Sequence, residues 1–544
     1  MQDPAPAPNL QPPALARGLD LTPWKTLRVA VSGDVALNRL ETRLIDTADF
    51  QRLRQIRQLG TTYLVYPTAL HTRFDHALGV LALTDRMIRT IRENVKIPAE
   101  ERAISPEQEQ LARLLALLHD ITHIPFGHTI EDEFRLLPRH DGNRRRIERF
   151  LGEGSAIGRL VIESLGRELY GRLMRLIGVE EAAPVRAEDG FINDLVDNTI
   201  CADLLDYLAR DAFFCNVAIE GEYRFLRHLG ICEHEGGRRL VVRLWKEGKS
   251  APRRDVLSEL IRLLDNRYLM SERVYYHHAK MVSGAMVAGA VGRALRAGEL
   301  SEDALCEMGD DVLLWRLGRA ADPATARLAR ALSERRLWKP VAERTRGHVL
   351  AEQQVTRSVD VLGALMADFH YDAPGRMARE DRLAGLLDLA PGDLLFHCPH
   401  HQMAMKLAEI LVFWNGALRP LKDCSDDELV GAKLRSILDS HQRLWALSVY
   451  LNPERMERAG AVVEACEGQF TFEPARRERQ ARQFYRGVLE RLTRERGMGV
   501  ELAQAERAVR IEAALEQLLP EDEAQRSRET ADAILERAFG PPSA

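Results

Sequence analysis

The 544-residue chain has no run of eighteen or more apolar residues, and its first residues lack the charged-then-apolar pattern of a secretory leader. Both absences argue against a helical membrane anchor and against export. The seven cysteines, Cys201, Cys215, Cys232, Cys306, Cys398, Cys424 and Cys466, form no CxxC pair. That speaks against a zinc ribbon and a disulfide framework, and fits a reducing compartment. There is no excess of positive charge: the formal net charge is −5 and the pI is near 6.4. A global basic footprint for nucleic acid is therefore missing. No internal repeat is found. A cytoplasmic chain follows as the expectation.

The 45% hydrophobic content is enough for a sizeable core, and the length suits two to four packed units. Helical periodicity dominates. Leu111–Leu118, Val256–Leu264 and Ala505–Leu518 place apolar residues three and four apart with charges between. Strand-like runs are fewer. Leu240–Leu244 beside Gly236-Gly237 reads as a small hairpin, and Asp393–Cys398 and Trp445–Tyr450 read as strands among helices. The fold class expected is mainly α with a small mixed α/β segment.

Provisional boundaries follow from composition. Residues 1–23 read as a tail, rich in Pro and Ala up to Gly18. Residues 24–300 hold nearly every His and Asp of chemical interest, 301–390 read as a helical extension, and 391–470 as a mixed α/β segment opening on the Pro391-Gly392 turn. Residues 471–544 read as C-terminal amphipathic helices rich in Arg and Glu.

The strongest chemical signal is Leu114-Leu115-Ala116-Leu117-Leu118-His119-Asp120. An apolar helix that ends in an imidazole and a carboxylate carries ionisable groups to the edge of a core, where they are costly unless paired or metal-bound. Neutral imidazole with carboxylate suits one divalent ion such as Mn²⁺, Fe²⁺, Zn²⁺ or Mg²⁺. His76, in Arg73-Phe74-Asp75-His76, and Asp203, in Ala202-Asp203-Leu204-Leu205-Asp206-Tyr207, are the candidates for the remaining ligands. Downstream lie His123, His128 and His140. Imidazoles near a metal can serve as general acid or base, or carry charge toward a phosphate.

An ordered series of segments then carries a family resemblance. Leu44-Ile45-Asp46-Thr47, Phe50-Gln51-Arg52-Leu53-Arg54, Gln58-Leu59-Gly60 and Arg73–Val80 are followed by the His119–His128 block and Asp206-Tyr207-Leu208-Ala209-Arg210-Asp211. Arg267 and Val274-Tyr275-Tyr276-His277 complete it, so that it covers about 27–290, with a weaker extension into Phe396–Leu407. Together these segments resemble the HD-domain deoxynucleoside triphosphate triphosphohydrolases, in the branch that holds the animal SAM-and-HD-domain enzyme and bacterial relatives. The stretch ahead of the run is too short for a SAM domain.

The resemblance implies an HD-domain helical core and a set of roles. His76, His119, Asp120 and Asp203 would be the metal ligands, with Asp206 supporting them. His123, His128 and His140 would surround the scissile phosphate and deliver a proton to the leaving oxygen. Arg73 and Arg267 would bind phosphate. Gln58, Leu59, Tyr207, Asp211 and Tyr275 would read the sugar, Asp211 and Gln58 at the 3′-hydroxyl, with Tyr275 and Leu59 crowding the 2′ position. The implied reaction releases triphosphate and a deoxynucleoside, in nucleotide-pool control or phage defence, from a homo-oligomer. Asp46, Gln51 and Arg54 match positions that bind a regulatory nucleotide in that branch.

Two departures stand out. Leu204 occupies a position where the animal pattern has a phosphate-contacting lysine, and Val29-Ala30-Val31-Ser32-Gly33 replaces an Asp-Pro-x-His-Gly element. Leu204 keeps open phosphodiesterase or phosphomonoesterase action on another nucleotide. A nucleotide-sensing regulator that retains the fold is a third reading, against which stands the full ligand set with three further histidines. Elsewhere, His397-Cys398-Pro399-His400-His401 holds metal-capable residues, but adjacent His400 and His401 do not share a helix side, so no second metal is expected. Arg476-Arg477-Glu478-Arg479 reads as a solvated face or oligomer contact because Glu is interleaved.

Overall fold

The structure, a computed structural model, describes residues 18–178, 184–219, 223–244, 253–350, 361–400, 409–414, 416–424 and 428–470. It is mainly α-helical. The tail to residue 17, the Ala505–Leu518 helix and the whole expected C-terminal stretch 471–544 lie outside the described residues. Two compact units emerge, one drawn from Met1–Trp338 and Gln402–Leu444, the other from Lys339–His401 and Trp445–Ala544.

The first unit opens with an antiparallel hairpin of β1 (Lys25–Val29) and β2 (Gly33–Leu37). Its centre is the helix Arg73–Glu93, packed against helices Pro106–Leu118 and Ala202–Cys215. Sequence accounts for each start. Thr72 and Asp75 form a capping box, as do Ser105 and Gln108, and Pro106 occupies the first helical turn, where its missing N–H costs nothing. The Sγ of Cys201 accepts from the Leu204 N–H, and Asn216 ends that helix in the left-handed region at φ 52°. Leu111, Leu114, Leu115, Leu117 and Leu118 are all buried, so the second half of this helix sits inside the unit. The Arg73–Glu93 helix meets the Ala202–Cys215 helix closely at Gly79, where a Cβ would fall 1.9 Å from Oδ1 of Asp206.

The hairpin expected around Gly236-Gly237 is present as β3 (Leu229–His234) and β4 (Gly237–Arg243). It belongs to a four-stranded sheet. Two strands of the first unit, Leu411–Trp414 and Ala417–Pro420, complete it, the first running parallel to β4. The second unit has its own sheet, in which Ala446–Leu451 pairs antiparallel with both Lys339–Thr345 and Leu394–His397. The strands read at Asp393–Cys398 and Trp445–Tyr450 are thus found.

The expected helical stretch 301–390 contains a strand, Lys339–Thr345. Its partner lies about a hundred residues later in the chain, beyond the reach of local periodicity. The expected mixed segment 391–470 supplies strands to both units. In the second unit the His397–His400 turn has its carbonyls in use: Pro399 O accepts from Trp445 Nε1 at 2.7 Å, and Cys398 O from His370 Nδ1 at 2.9 Å. Among the described residues no helix is long and apolar enough to cross a membrane.

Candidate metal centre

Three helices of the first unit bring the four expected ligands together. His76 lies in the first turn of Arg73–Glu93, His119 and Asp120 follow the last turn of Pro106–Leu118, and Asp203 is in the first turn of Ala202–Cys215. Nε2 of His76 is 3.0 Å from Asp203 Oδ1 and 3.7 Å from Asp120 Oδ2. Nε2 of His119 is 3.8 Å from Asp203 Oδ1 and 3.6 Å from Asp120 Oδ1. One ligand atom each from His76, His119 and Asp203 falls within a 4.8 Å cluster.

The far side of each imidazole is occupied. His76 Nδ1 lies 2.9 Å from Asp206 Oδ2, and His119 Nδ1 donates to Ala116 O at 2.8 Å. Each ring is therefore held from its Nδ1 side and turns Nε2 inward, where a bound cation would take the lone pair in place of a proton. The Nε2 of His119 is buried and has no hydrogen-bond partner. Two inward nitrogens and two carboxylates fit a borderline divalent cation. The electrostatics agree. Burial alone would lower His76, but Asp203 and Asp206 outweigh it and raise it to about 10. Burial would raise Asp203, but the neighbouring His119 and His76 hold it well below the usual carboxylate range. The site draws positive charge.

Asp206 stands behind His76, away from Asp203. Arg210 grips it through two contacts of 2.8 Å, and the same guanidinium donates to Ala30 O and Ser32 Oγ at 2.8 Å each. The Val29–Gly33 turn is thereby tied to the partner of His76, with Val31 in the left-handed region at φ 70°.

Asp120 faces His76 and His119 and forms a second cluster with His123 and His140. Arg73, 3% exposed, places Nη1 2.5 Å from Asp120 Oδ2, and His123 Nε2 is 3.2 Å from Oδ1. His123 stacks on His140 with ring centroids 3.6 Å apart, and His128 lies edge-on at 5.0 Å. Burial first, then the charges of Arg73 and His140, push His123 well below its ordinary value, so it is neutral.

Several residues of this cluster were not found by sequence reasoning. Glu131 accepts from His140 Nδ1 at 3.0 Å and pairs with buried Arg146, while Asp132 accepts from His128 Nδ1 at 2.8 Å. The spacing of His128 and Asp132, four apart, was the available signal. Arg52 is buried and donates to the carbonyls of Ile121 and His123 at 2.9 and 2.8 Å, fixing the turn between them.

Of the expected sugar-reading residues, Tyr207, Asp211 and Tyr275 lie together. The Tyr275 hydroxyl donates to Asp211 Oδ2 at 2.8 Å, and the Tyr207 and Tyr275 rings are 6.5 Å apart. Burial raises Tyr207 and Tyr275, while the charge of Arg267 acts on both in the opposite direction. Gln58 and Leu59 precede the 3₁₀ turn Gly60–Leu64, and Gln58 Oε1 is buried without a hydrogen-bond partner. Leu204 is 3% exposed and packs in the core.

Asp46, Gln51 and Arg54 do not lie on one helix. Asp46 caps Arg39–Ile45, Gln51 ends Ala48–Gln51, and Arg54 belongs to a 3₁₀ turn, because Thr47 interrupts the first helix and caps the next. Gln51 and Arg54 do share a face, joined at 2.8 Å, and the Arg54 guanidinium sits 3.5 Å over the Phe74 ring.

Comparison with known proteins matches residues 73–211 to the HD domain and residues 260–468 to the HD associated region. The first match begins at Arg73 and ends at Asp211, so it contains the whole ligand set and all three clustered histidines. An uncharacterized protein of Methanocaldococcus jannaschii is 28% identical over 293 residues, 53% of this chain and 54% of that one. Deoxynucleoside triphosphate triphosphohydrolase SAMHD1 of Gallus gallus is 28% identical over 292 residues, 50% of this chain and 45% of that one. An uncharacterized protein of Bacillus subtilis is 30% identical over 234 residues, 43% and 47% of the two chains. The chain thus spans about half the length of the curated relatives it matches. A crystal structure of a hypothetical protein from Aquifex aeolicus shares the fold, with TM-score 0.56 and 21% identity over 80% of this chain and 99% of that one.

Proposed function

This chain belongs to the HD-domain proteins, and from that premise we propose that it is a metal-dependent phosphohydrolase that cleaves deoxynucleoside triphosphates to deoxynucleoside and triphosphate. The observation that carries the proposal is the convergence of His76, His119, Asp120 and Asp203 beside the stacked pair His123 and His140. A binding module has no use for a histidine cluster wired to a metal site; a hydrolase needs groups that move protons there.

A divalent ion held by the four ligands would polarise a phosphoryl oxygen and offset charge in the transition state. Arg73 and Arg267 neutralise the polyphosphate. His140, held by Glu131, and His128, held by Asp132, are oriented to pass a proton to the leaving oxygen. Asp211 and Gln58 take the sugar's 3′-hydroxyl, and Tyr275 with Leu59 fills the space a 2′-hydroxyl needs. Triphosphate release requires water to attack the α-phosphate in line with the nucleoside oxygen.

A second reading rests on Leu204: with an apolar, buried side chain at that position, one cationic contact to a long polyphosphate is missing, which favours phosphodiesterase or phosphomonoesterase action on another nucleotide. The test is incubation with each dNTP, NTP and dNMP in Mn²⁺, Fe²⁺, Zn²⁺ or Mg²⁺, followed by product identification. Triphosphate and deoxynucleoside are expected. Orthophosphate or pyrophosphate as the first product would favour the second reading.

A further inference from the structure

Asp211 has both carboxylate oxygens engaged. Tyr275 donates to Oδ2 at 2.8 Å, and Nε2 of His71 lies 2.7 Å from Oδ1. A carboxylate only accepts, so His71 carries hydrogen on Nε2. His71 is 2% exposed and its ring stacks on Phe214, centroids 4.7 Å apart and planes 20° from parallel, which fixes the plane in which it donates. Its backbone carbonyl accepts from the Gln58 N–H at 3.0 Å. On either side, Arg73 N donates to Ile56 O at 2.9 Å and Arg57 bridges to Thr72. One residue therefore touches both groups assigned to the sugar hydroxyl, Asp211 through its side chain and Gln58 through its main chain.

We propose that His71 is the positioning residue for sugar recognition, holding Asp211 as a fixed anionic acceptor in register with Gln58. This rests on the dNTP reading above. Two donors occupy two of the roughly four lone-pair directions of the carboxylate, leaving acceptor capacity for a third donor, and the buried Gln58 Oε1 supplies another acceptor without a partner among the described residues. A substrate hydroxyl can answer such acceptors; a hydrogen in its place cannot, and a site built to bond a hydroxyl rejects the analogue that lacks it. Without the His71 donor, Oδ1 is buried and unpaired. The carboxyl then loses its fixed orientation and becomes a poor acceptor for the sugar.

The experiment compares dNTP with 2′,3′-dideoxy-NTP hydrolysis for the unmodified protein, His71→Leu, His71→Gln and His71→Leu combined with Asp211→Asn. Thermal midpoint and bound metal are read for each. Removing the donor is expected to lower kcat/KM for dNTP by roughly tenfold to a hundredfold, the range for a lost hydrogen bond to a charged group. Dideoxy turnover should barely change, so the preference collapses. His71→Gln, whose amide N–H can reach the place of Nε2, should restore most of it, and the double variant should be no worse than Asp211→Asn alone. If His71→Leu is poorly folded, His71→Asn, too short to reach Oδ1, replaces it. Equal losses on both substrates mean a merely structural role and overturn the inference. An unmodified protein that cleaves dNTP and dideoxy-NTP equally well also overturns it while leaving the dNTP reading intact, whereas one that cleaves no dNTP overturns both.

Discussion

Nδ1 of His76 and Oδ2 of Asp206 lie 2.9 Å apart, and this contact decides which nitrogen of His76 faces Asp203. A carboxylate fixes the proton on Nδ1 and leaves Nε2 as ligand. Asp206 is in turn held by Arg210 and by the tight passage at Gly79, so its carboxylate is engaged in orienting His76.

Loss of a ligand and loss of its support should therefore differ. Asp120→Ala and Asp203→Ala are expected to abolish bound metal and hydrolysis while leaving helical content intact. Asp206→Ala should keep some metal, with affinity weaker by about 10–100-fold. Metal content by elemental analysis, with circular dichroism as control, checks this. Full hydrolysis by metal-free Asp120→Ala would remove the ligand assignment.

Sugar choice should follow Tyr275. Its hydroxyl pairs with buried Asp211, so Tyr275→Phe should cost about 1–3 kcal/mol in transition-state binding from the unpaired carboxylate oxygen. Tyr275→Ala, which opens the space beside the sugar, should narrow the gap between dNTP and NTP turnover. Initial rates on dATP and ATP give the answer, and equal turnover of the two by the unmodified protein would favour another nucleotide as substrate.

Asp310 gives a pH signature of its own. Fully buried, it accepts from the N–H of Arg57 at 2.9 Å and of Phe126 at 3.2 Å, and so braces the loop between His123 and His128, where Phe126 is left-handed at φ 52°. Burial pushes its carboxyl up to about 6, against the lowering effect of Arg57 and Phe126. The folded chain then binds more protons than the unfolded chain between about pH 4 and 6. Stability from this group is present in full below that range and is lost as pH rises through 6, by about 3 kcal/mol. Urea unfolding of the unmodified protein and Asp310→Asn at pH 4.5 and 7.5 should show the variant's relative stability improving at the higher pH. A difference independent of pH would refute this.

Assembly is expected to need no nucleotide. The Val29–Gly33 turn is committed to Arg210, and Arg54 to Gln51 and Phe74. A nucleotide can shift assembly only through different affinity for the two states. Light scattering with and without GTP and dATP, on the unmodified protein and Arg54→Ala, should find a homo-oligomer in every case. A monomer that assembles only with nucleotide, and not as Arg54→Ala, would show the opposite mechanism.

The sequence by itself determined the helices and their ends, because caps and apolar spacing are local. Thr72 with Asp75, Ser105 with Gln108, and the leucines before His119 each act within one or two turns. It also determined which residues could bind a metal, since an imidazole and a carboxylate after an apolar helix are costly without a partner. The tertiary structure alone decided the rest. Lys339–Thr345 becomes a strand only because Ala446–Leu451 lies beside it. His71, Glu131, Arg146 and Arg52 gain their places through partners 9 to 140 positions away, and no local pattern marks them. The orientation of each imidazole was likewise invisible in the chain, because which nitrogen faces a metal is set by the group behind the ring, and that group arrives from another helix or from the preceding turn's carbonyl.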